Sequence, residues 1–350
     1  MKRIKGLDSV RFICALIVLF GHFGFPFITL LSKASGGNAF LKIIAITISL
    51  AFNGPAAVII FFIISGFCIH YPFRDSKTIS LPPYYSRRLL RIGIPALIAF
   101  TLSYILKIEL KPPEFGVFWS IFCEIAYYLI YPILFYISKI IKWRYMILAA
   151  YIISWLLIFT HLDLLKNGHN GYPVFGSLNW VIGLPCWLLG CWLSVNYLRF
   201  RSIPTNRIWI MRLCIISFFI VLNIIRFHVH LFIASNCITL NLFALIACAW
   251  LGFEIMYYKV KEPLWILEYS GKWSYSLYLT HPATSGFLVY LGFGALISKY
   301  VGLLLIISLI FAYLFYLIIE KPSHRFSIFI SSRLSKKTQP PLATVKGVEQ

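Results

Sequence analysis

Arg11 and His22 close off the two ends of an otherwise apolar stretch, RFICALIVLFGH. Eleven helical residues turn through about 1,100° and rise about 16 Å, so the two side chains share one face, roughly three turns apart. Arg11 reads either as a snorkelling anchor at the cytoplasmic face or as a functional cation, and His22 either as a helix-packing histidine or, neutral in a low-dielectric setting, as a usable general base. In YYSRRLLRIGIP (84–95), Arg88 and Arg91 stand three apart on one helix face and Arg87 points elsewhere. Two guanidiniums at a helix N-terminus suit a phosphate-bearing ligand, and they would equally serve as anchors to lipid phosphates. WSIFCEIAYYLIYP (119–132) carries Glu124 inside an apolar run. A carboxylate there must be paired, protonated or working: as an interhelix hydrogen bond, as the partner of a histidine, or as a substrate clamp. WSYSLYLTHP (273–282) sets His281 beside Pro282, which is expected to break the helix. Ser65-Gly66 in FFIISGFCI reads first as a place where two helices approach closely. IIEKP (318–322) closes the last apolar run, with Glu320 expected at headgroup level.

The elements that must position these groups are membrane helices. The chain has 350 residues, 60% hydrophobic and 12% charged, with a mean hydropathy of +0.83. Apolar runs of spanning length recur throughout it. The reading is an all-α, polytopic transmembrane helix bundle of about ten spans: 10–31, 54–72, 91–107, 118–138, 146–161, 178–196, 208–225, 231–255, 276–296 and 302–320. The stretch 39–53 is apolar but short, either interfacial or an extension of the second span. The opening MKRIKGLD resembles the start of a secretory signal, but no small-residue cleavage site follows and Arg11 interrupts the run, so a retained first helix is expected.

The net charge of +21 collects in alternate loops, around Lys2–Lys5, Arg74–Arg91, Lys139–Arg144, Arg199–Arg207, Lys259–Lys272 and Lys321–Lys337. That alternation puts both termini in the cytoplasm and assigns the charge to topology and lipid headgroups, with no nucleic acid partner. The eight cysteines all sit in apolar stretches and form no CxxC, as buried small hydrophobes do. His161, Asp163, His169, His228 and His230 have no metal-ligand spacing, and no metal is expected. Residues 1–330 read as one membrane domain and 331–350 as a polar, disordered cytoplasmic tail, with no appended soluble domain.

Taken in chain order, GLDSVRFICALIVLFGH, FFIISGF, YYSRRLLRIGIP, WSIFCEIAYYLIYP, WSYSLYLTH and IIEKP resemble the successive motifs of the acyltransferase-three family of integral membrane acyltransferases. Two departures stand out. Glu124 is followed by IAYY where many relatives have a second acidic residue, and Ser9-Val10 replaces the commoner Gly-Leu, a change expected to affect packing only. The resemblance implies a multi-pass enzyme of the bacterial inner membrane. Its reaction would move an acyl group, most often acetyl from acetyl-CoA as co-substrate, to a hydroxyl of a surface glycan such as O-antigen lipopolysaccharide or exopolysaccharide, or to its lipid-linked precursor. His22 would then deprotonate the acceptor or receive the acyl group, with Glu124 beside it in catalysis. Arg11, Arg88, Arg91, Ser65 and His281 would bind substrate. Spacing adds that donor phosphates would rest near the arginines while the thioester reaches inward. A lipid-linked sugar transporter and a non-catalytic partner of a glycan-assembly complex stay open, although no inverted repeat is visible; so does assembly into homo-oligomers.

The topology is directly testable. With the native cysteines removed, cysteines placed at Ser80 and Asn170 are expected to react with impermeant thiol reagents from opposite sides of the membrane. Labelling of both from one side would overturn the span order.

Overall fold

The computed structural model describes residues 4–26, 28, 31, 38–106, 117–165, 172–293 and 300–338, and among these there is no β-strand. The helices are α1 (Leu7–Phe23), α2 (Ala39–Leu50), α3 (Gly54–His70), α4 (Leu81–Ile105), α5 (Phe118–Ile137), α6 (Trp143–Thr160), α7 (Asn179–Asn196), α8 (Thr205–His228), α9 (Asn236–Tyr258), the short α10 (Trp265–Ser270), α11 (Ser274–Tyr290), α12 (Val301–Phe315) and α13 (Lys321–Thr338). Among the described residues, 8 helical stretches are long and apolar enough to cross a membrane. The 17-residue helices α1 and α11 bring the bundle to the ten spans read from sequence.

α3 is the central post, buried on nearly every face, and it packs chiefly on α7 and also on α1, α5 and α9. Two glycines set the α3–α7 spacing. A Cβ on Gly66 would run into the Trp187 carbonyl, and one on Gly190 into the Ile63 carbonyl. Small residues at such a crossing let two backbones touch, which is the main source of helix association where lipid is as apolar as the side chains. At the crossing, Cys191 Sγ lies 3.5 Å from the Gly66 carbonyl oxygen.

The basic loops gather at one end. Lys5 pairs with Glu262; Arg74 donates to the Tyr197 hydroxyl at 3.3 Å; Lys259 Nζ sits 5.4 Å from the Tyr197 ring centre; and Lys139 donates to the Ser76 carbonyl at 2.6 Å. Here α1 is capped by another helix: the Glu268 carboxylate accepts from the backbone N–H groups of Gly6 and Ser9 at 3.2 and 3.1 Å and from Ser9 Oγ at 2.7 Å. A carboxylate at a helix N-terminus satisfies orphan donors and complements the dipole. Ser9 therefore does more than pack.

Several expectations need correction. The third span starts at Leu81 rather than 91, so YYSRRLLRIGIP is already helical and the basic loop before it shrinks to residues 74–80. The stretch 39–53 resolves into a separate helix, α2, whose Asn38 side chain caps its N-terminus, followed by a break at 51–53. α11 runs unbroken through Pro282. IIEKP does not end a helix: α12 passes through a π-helical turn, Tyr316–Glu320, into α13. That helix continues to Thr338, past the boundary expected at 331, and packs along α4. Residues 339–350, like His169 and Asn170, lie outside the described residues.

The prolines inside α4, α5, α7 and α11 each remove a backbone donor. A carbonyl three or four residues earlier is satisfied by a side chain instead: Ile92 by the Tyr275 hydroxyl (3.0 Å), Tyr128 by the Tyr84 hydroxyl (3.0 Å), Ile182 by Asn241 Nδ2 (3.1 Å), and Tyr278 by His281 (2.8 Å). Such rescue is what lipid demands, since no water is there to accept the debt.

The glycine crossing predicts a sharp asymmetry in melting experiments on the purified protein. Gly66→Ala or Gly190→Ala forces α3 and α7 apart and is expected to cost on the order of 1–3 kcal/mol, as overpacked sites do. Gly93→Ala, where a Cβ meets nothing within 4 Å, is expected to leave the midpoint unchanged or raise it. Equal midpoints for all three would remove the crossing from its structural role.

Candidate active site

On the half of the bundle nearer the basic loops, α3, α5 and α7 meet at Glu124. Ser65 Oγ donates to Glu124 Oε1 at 2.6 Å, and the Tyr128 hydroxyl donates to the same oxygen. Trp187 Nε1 donates in turn to Ser65 Oγ at 3.3 Å. Glu124 and Tyr128 are four apart on α5, hence neighbours on one face. Ser65 reaches them from α3, and Gly66, next to it, seats α3 on α7, which brings Trp187 to Ser65. Glu124 is thus bonded to a serine and a tyrosine.

Arg11 faces the same group. It lies 3.9 Å from Asp8 across one helical turn and within electrostatic reach of Glu124, Tyr128 and Cys68. Arg91 interacts with Arg11, Arg88, Tyr128 and Glu320. Arg88 and Arg91 are half-buried and Arg87 is exposed, as the three-residue spacing predicts. From α13, His324 approaches all three arginines of α4. Glu320, buried, accepts from the backbone N–H of Ser276 at 3.1 Å and from its Oγ at 2.5 Å, capping α11. It is an internal helix cap and not a headgroup charge. Like charges so close repel, and an anionic ligand among Arg11, Arg88 and Arg91 would relieve that repulsion.

His22 lies at the other end of α1, in its last turn and exposed. Its ring centre is 5.0 Å from that of His281, with 50° between the planes. His281 is 1% exposed. Its Nδ1 lies 2.8 Å from the Tyr278 carbonyl oxygen and 3.3 Å from that of Leu277. Carbonyls only accept, so Nδ1 carries the hydrogen and Nε2 is left as a bare lone pair. Pro282 is the reason: the residue at 282 would ordinarily donate to the Tyr278 carbonyl, and the proline hands that acceptor to His281. Nε2 of His281 is buried with no hydrogen-bond partner among the described residues.

The predicted residues therefore form two clusters on a common scaffold. Arg11, Ser65, Arg88, Arg91 and Glu124 belong to one, and His22 with His281 to the other. Tyr278 connects them: its ring centre is 6.1 Å from that of His281, its hydroxyl is 2.7 Å from Ser120 Oγ, and it lies within reach of Glu124. Sequence reasoning missed Tyr128, Trp187 and Tyr278. The i,i+4 spacing of Glu124 and Tyr128 was available as a signal, but nothing in the apolar stretch around Trp187 marks it.

The tautomer of His281 can be read by nitrogen-15 spectroscopy of histidine-labelled protein. Nδ1 is expected to be protonated and Nε2 bare near neutral pH. Pro282→Ala returns a backbone donor to the Tyr278 carbonyl, so its His281 is expected to show mixed tautomers without loss of thermal stability. A wild-type spectrum with the proton on Nε2 would overturn the assignment.

Comparison with curated proteins and with solved structures gives no match. A family model does match: that of the acyltransferase domain of the acyltransferase-three family, over residues 4–320. The match takes in both clusters, both carboxylate-capped helices and the His281-Pro282 pair. This multi-pass helical chain belongs to the acyltransferase-three family and is an acyltransferase.

Proposed function

We propose that the chain transfers an acyl group, in the simplest case acetyl, from acyl-CoA to a hydroxyl of a surface glycan such as O-antigen or exopolysaccharide, or of its lipid-linked precursor, in the bacterial inner membrane. The observation that carries this reading is the separation of two chemistries along α1: a cluster of guanidiniums around Arg11 and an exposed imidazole at His22, about 16 Å further along the helix. Phosphates of the donor suit Arg88, Arg91 and Arg11, where bidentate charge-assisted bonds are available. A long, thin thioester arm can then run along α1 toward the histidines.

At that end the acceptor hydroxyl gives its proton to a ring nitrogen of His22 as its oxygen bonds to the acyl carbon. The carbon–sulfur bond breaks, and the departing thiolate takes the proton back from the imidazolium. The products are an ester and a free thiol. His281, whose ring centre lies 5.0 Å from that of His22 and whose Nε2 is a bare lone pair, would accept the other N–H of His22. It would orient the base and stabilise the imidazolium, much as a buried carboxylate does in a catalytic triad. General-base catalysis of this sort is worth roughly 10²–10⁴-fold.

Transfer of radiolabel from acetyl-CoA to membrane glycan tests the proposal. His22→Ala is expected to abolish transfer while the protein still inserts and accumulates. Arg88→Ala and Arg91→Ala are expected to raise the KM for acyl-CoA more than that for acceptor, and Arg87→Ala to do so only mildly. Near wild-type transfer by His22→Ala would remove the base. Equal effects at all three arginines would instead assign them to lipid anchoring.

A further inference from the structure

His22 opens onto a cavity of about 360 Å³ at the end of the bundle away from the basic loops, between the ends of α1, α2 and α8. The volume falls at the small end of ligand pockets, roughly 300–1,000 Å³, which suits a single sugar unit and not a long chain. Phe20, Phe25 and Phe52 form one wall, their ring centres 5.0–5.4 Å apart. The opposite wall comes from α8, where Asn223 and Arg226 stand three apart and share a face. Asn223 holds α2 in place by donating to the Leu50 carbonyl at 2.8 Å. Arg226 is half-buried, with Cζ 5.1 Å from the Phe227 ring centre. Arg226 brings a guanidinium to the lining of the cavity.

A cation in the last turn of a helix is favoured by the helix dipole, and Arg226 would need no further reason if it faced lipid headgroups. It lines the cavity that His22 also lines. Building on the acyl-transfer reading, we propose that Arg226 is an acceptor-recognition residue and that the acceptor carries an oxyanion close to the hydroxyl that is acylated. The same chemistry has two sources: the carboxylate of an acidic sugar, or the phosphate that joins a glycan to its lipid carrier. The guanidinium would hold either through charge-assisted bonds, while the phenyl rings pack the apolar face of the sugar and the hydroxyl is left toward His22.

The test uses membranes containing the full chain and three forms of the surface glycan of its host: native, carboxyl-reduced, and released from the lipid carrier by mild acid. Radiolabel transfer from acetyl-CoA is measured for wild type, Arg226→Gln and Arg226→Lys. On the native glycan, Arg226→Gln is expected to lose about 10- to 100-fold in kcat/KM, mostly through the KM for acceptor, with Arg226→Lys between it and wild type. Wild type is expected to lose a similar factor on one of the two altered glycans, and Arg226→Gln to lose nothing more on that one. The form that fails names the source of the oxyanion. Wild type treating all three glycans alike, or Arg226→Gln matching wild type on the native one, would overturn the proposal. Equilibrium binding of tritiated native glycan without acyl donor separates the two readings. Binding that weakens in Arg226→Gln while no variant transfers label would keep the recognition site and defeat acyl transfer; binding equal in both proteins would defeat the recognition site.

Discussion

The α3–α7 contact fixes the distance on which the polar interior depends. Backbone touches backbone at Gly66 and Gly190, and the hydrogen bond from Trp187 to Ser65, which in turn donates to Glu124, crosses at that spacing. A lipid environment supplies no hydrophobic pressure to hold two helices together, so close packing has to do it. An added methyl group on either glycine would separate the helices and pull Trp187 away from Ser65, the residue that donates to the half-buried Glu124.

A second constraint comes with Pro95, Pro132, Pro185 and Pro282, each of which has a carbonyl three or four residues earlier that takes a side-chain donor. Tyr84, Tyr275 and Asn241 donate from neighbouring helices, so the first three prolines become cross-links between spans. At Pro282 the acceptor goes to the adjacent histidine, and there a structural obligation becomes a chemical one: the protonation pattern of His281 follows from the residue after it. The carboxylates follow a similar logic. Glu268 and Glu320 each cap the N-terminus of a helix distant in sequence, α1 and α11, and these are the two helices that carry the facing histidines.

The spans were legible because the length of an apolar run is a one-dimensional quantity, and the ten expected runs match ten helices to within a few residues at most ends, with the start of α4 and the ends of α1 and α11 excepted. Sharing of a face was legible too: spacing alone separated Arg87 from Arg88 and Arg91. What a single sequence does not carry is which helices meet. Glu124 had three readings from its sequence context, and its bond to Ser65 depends on packing between spans fifty-nine residues apart, whereas Tyr128 is a neighbour on its own helix. Pro282 and IIEKP were read as breaks from local rules that hold in water. In the bundle, a side chain repaired the first and a widened turn absorbed the second.

That widened turn makes α12 and α13 a single rod with a fault in its winding. Each residue of an α-helix advances the direction of the next side chain by about 100°, and a π turn accommodates an extra residue without breaking the rod. The phase of everything beyond it is set there: Glu320 is turned onto Ser276, and His324 onto the arginines of α4. Losing one residue from Tyr316–Glu320 would barely shorten the rod. It would rotate α13 by more than a quarter-turn about its own axis and present lipid-facing side chains to α4. The alignment of the carboxyl-terminal helix is thus an angular property, counted in residues, and the chain's tolerance of insertions and deletions at this point is far narrower than its tolerance of substitutions.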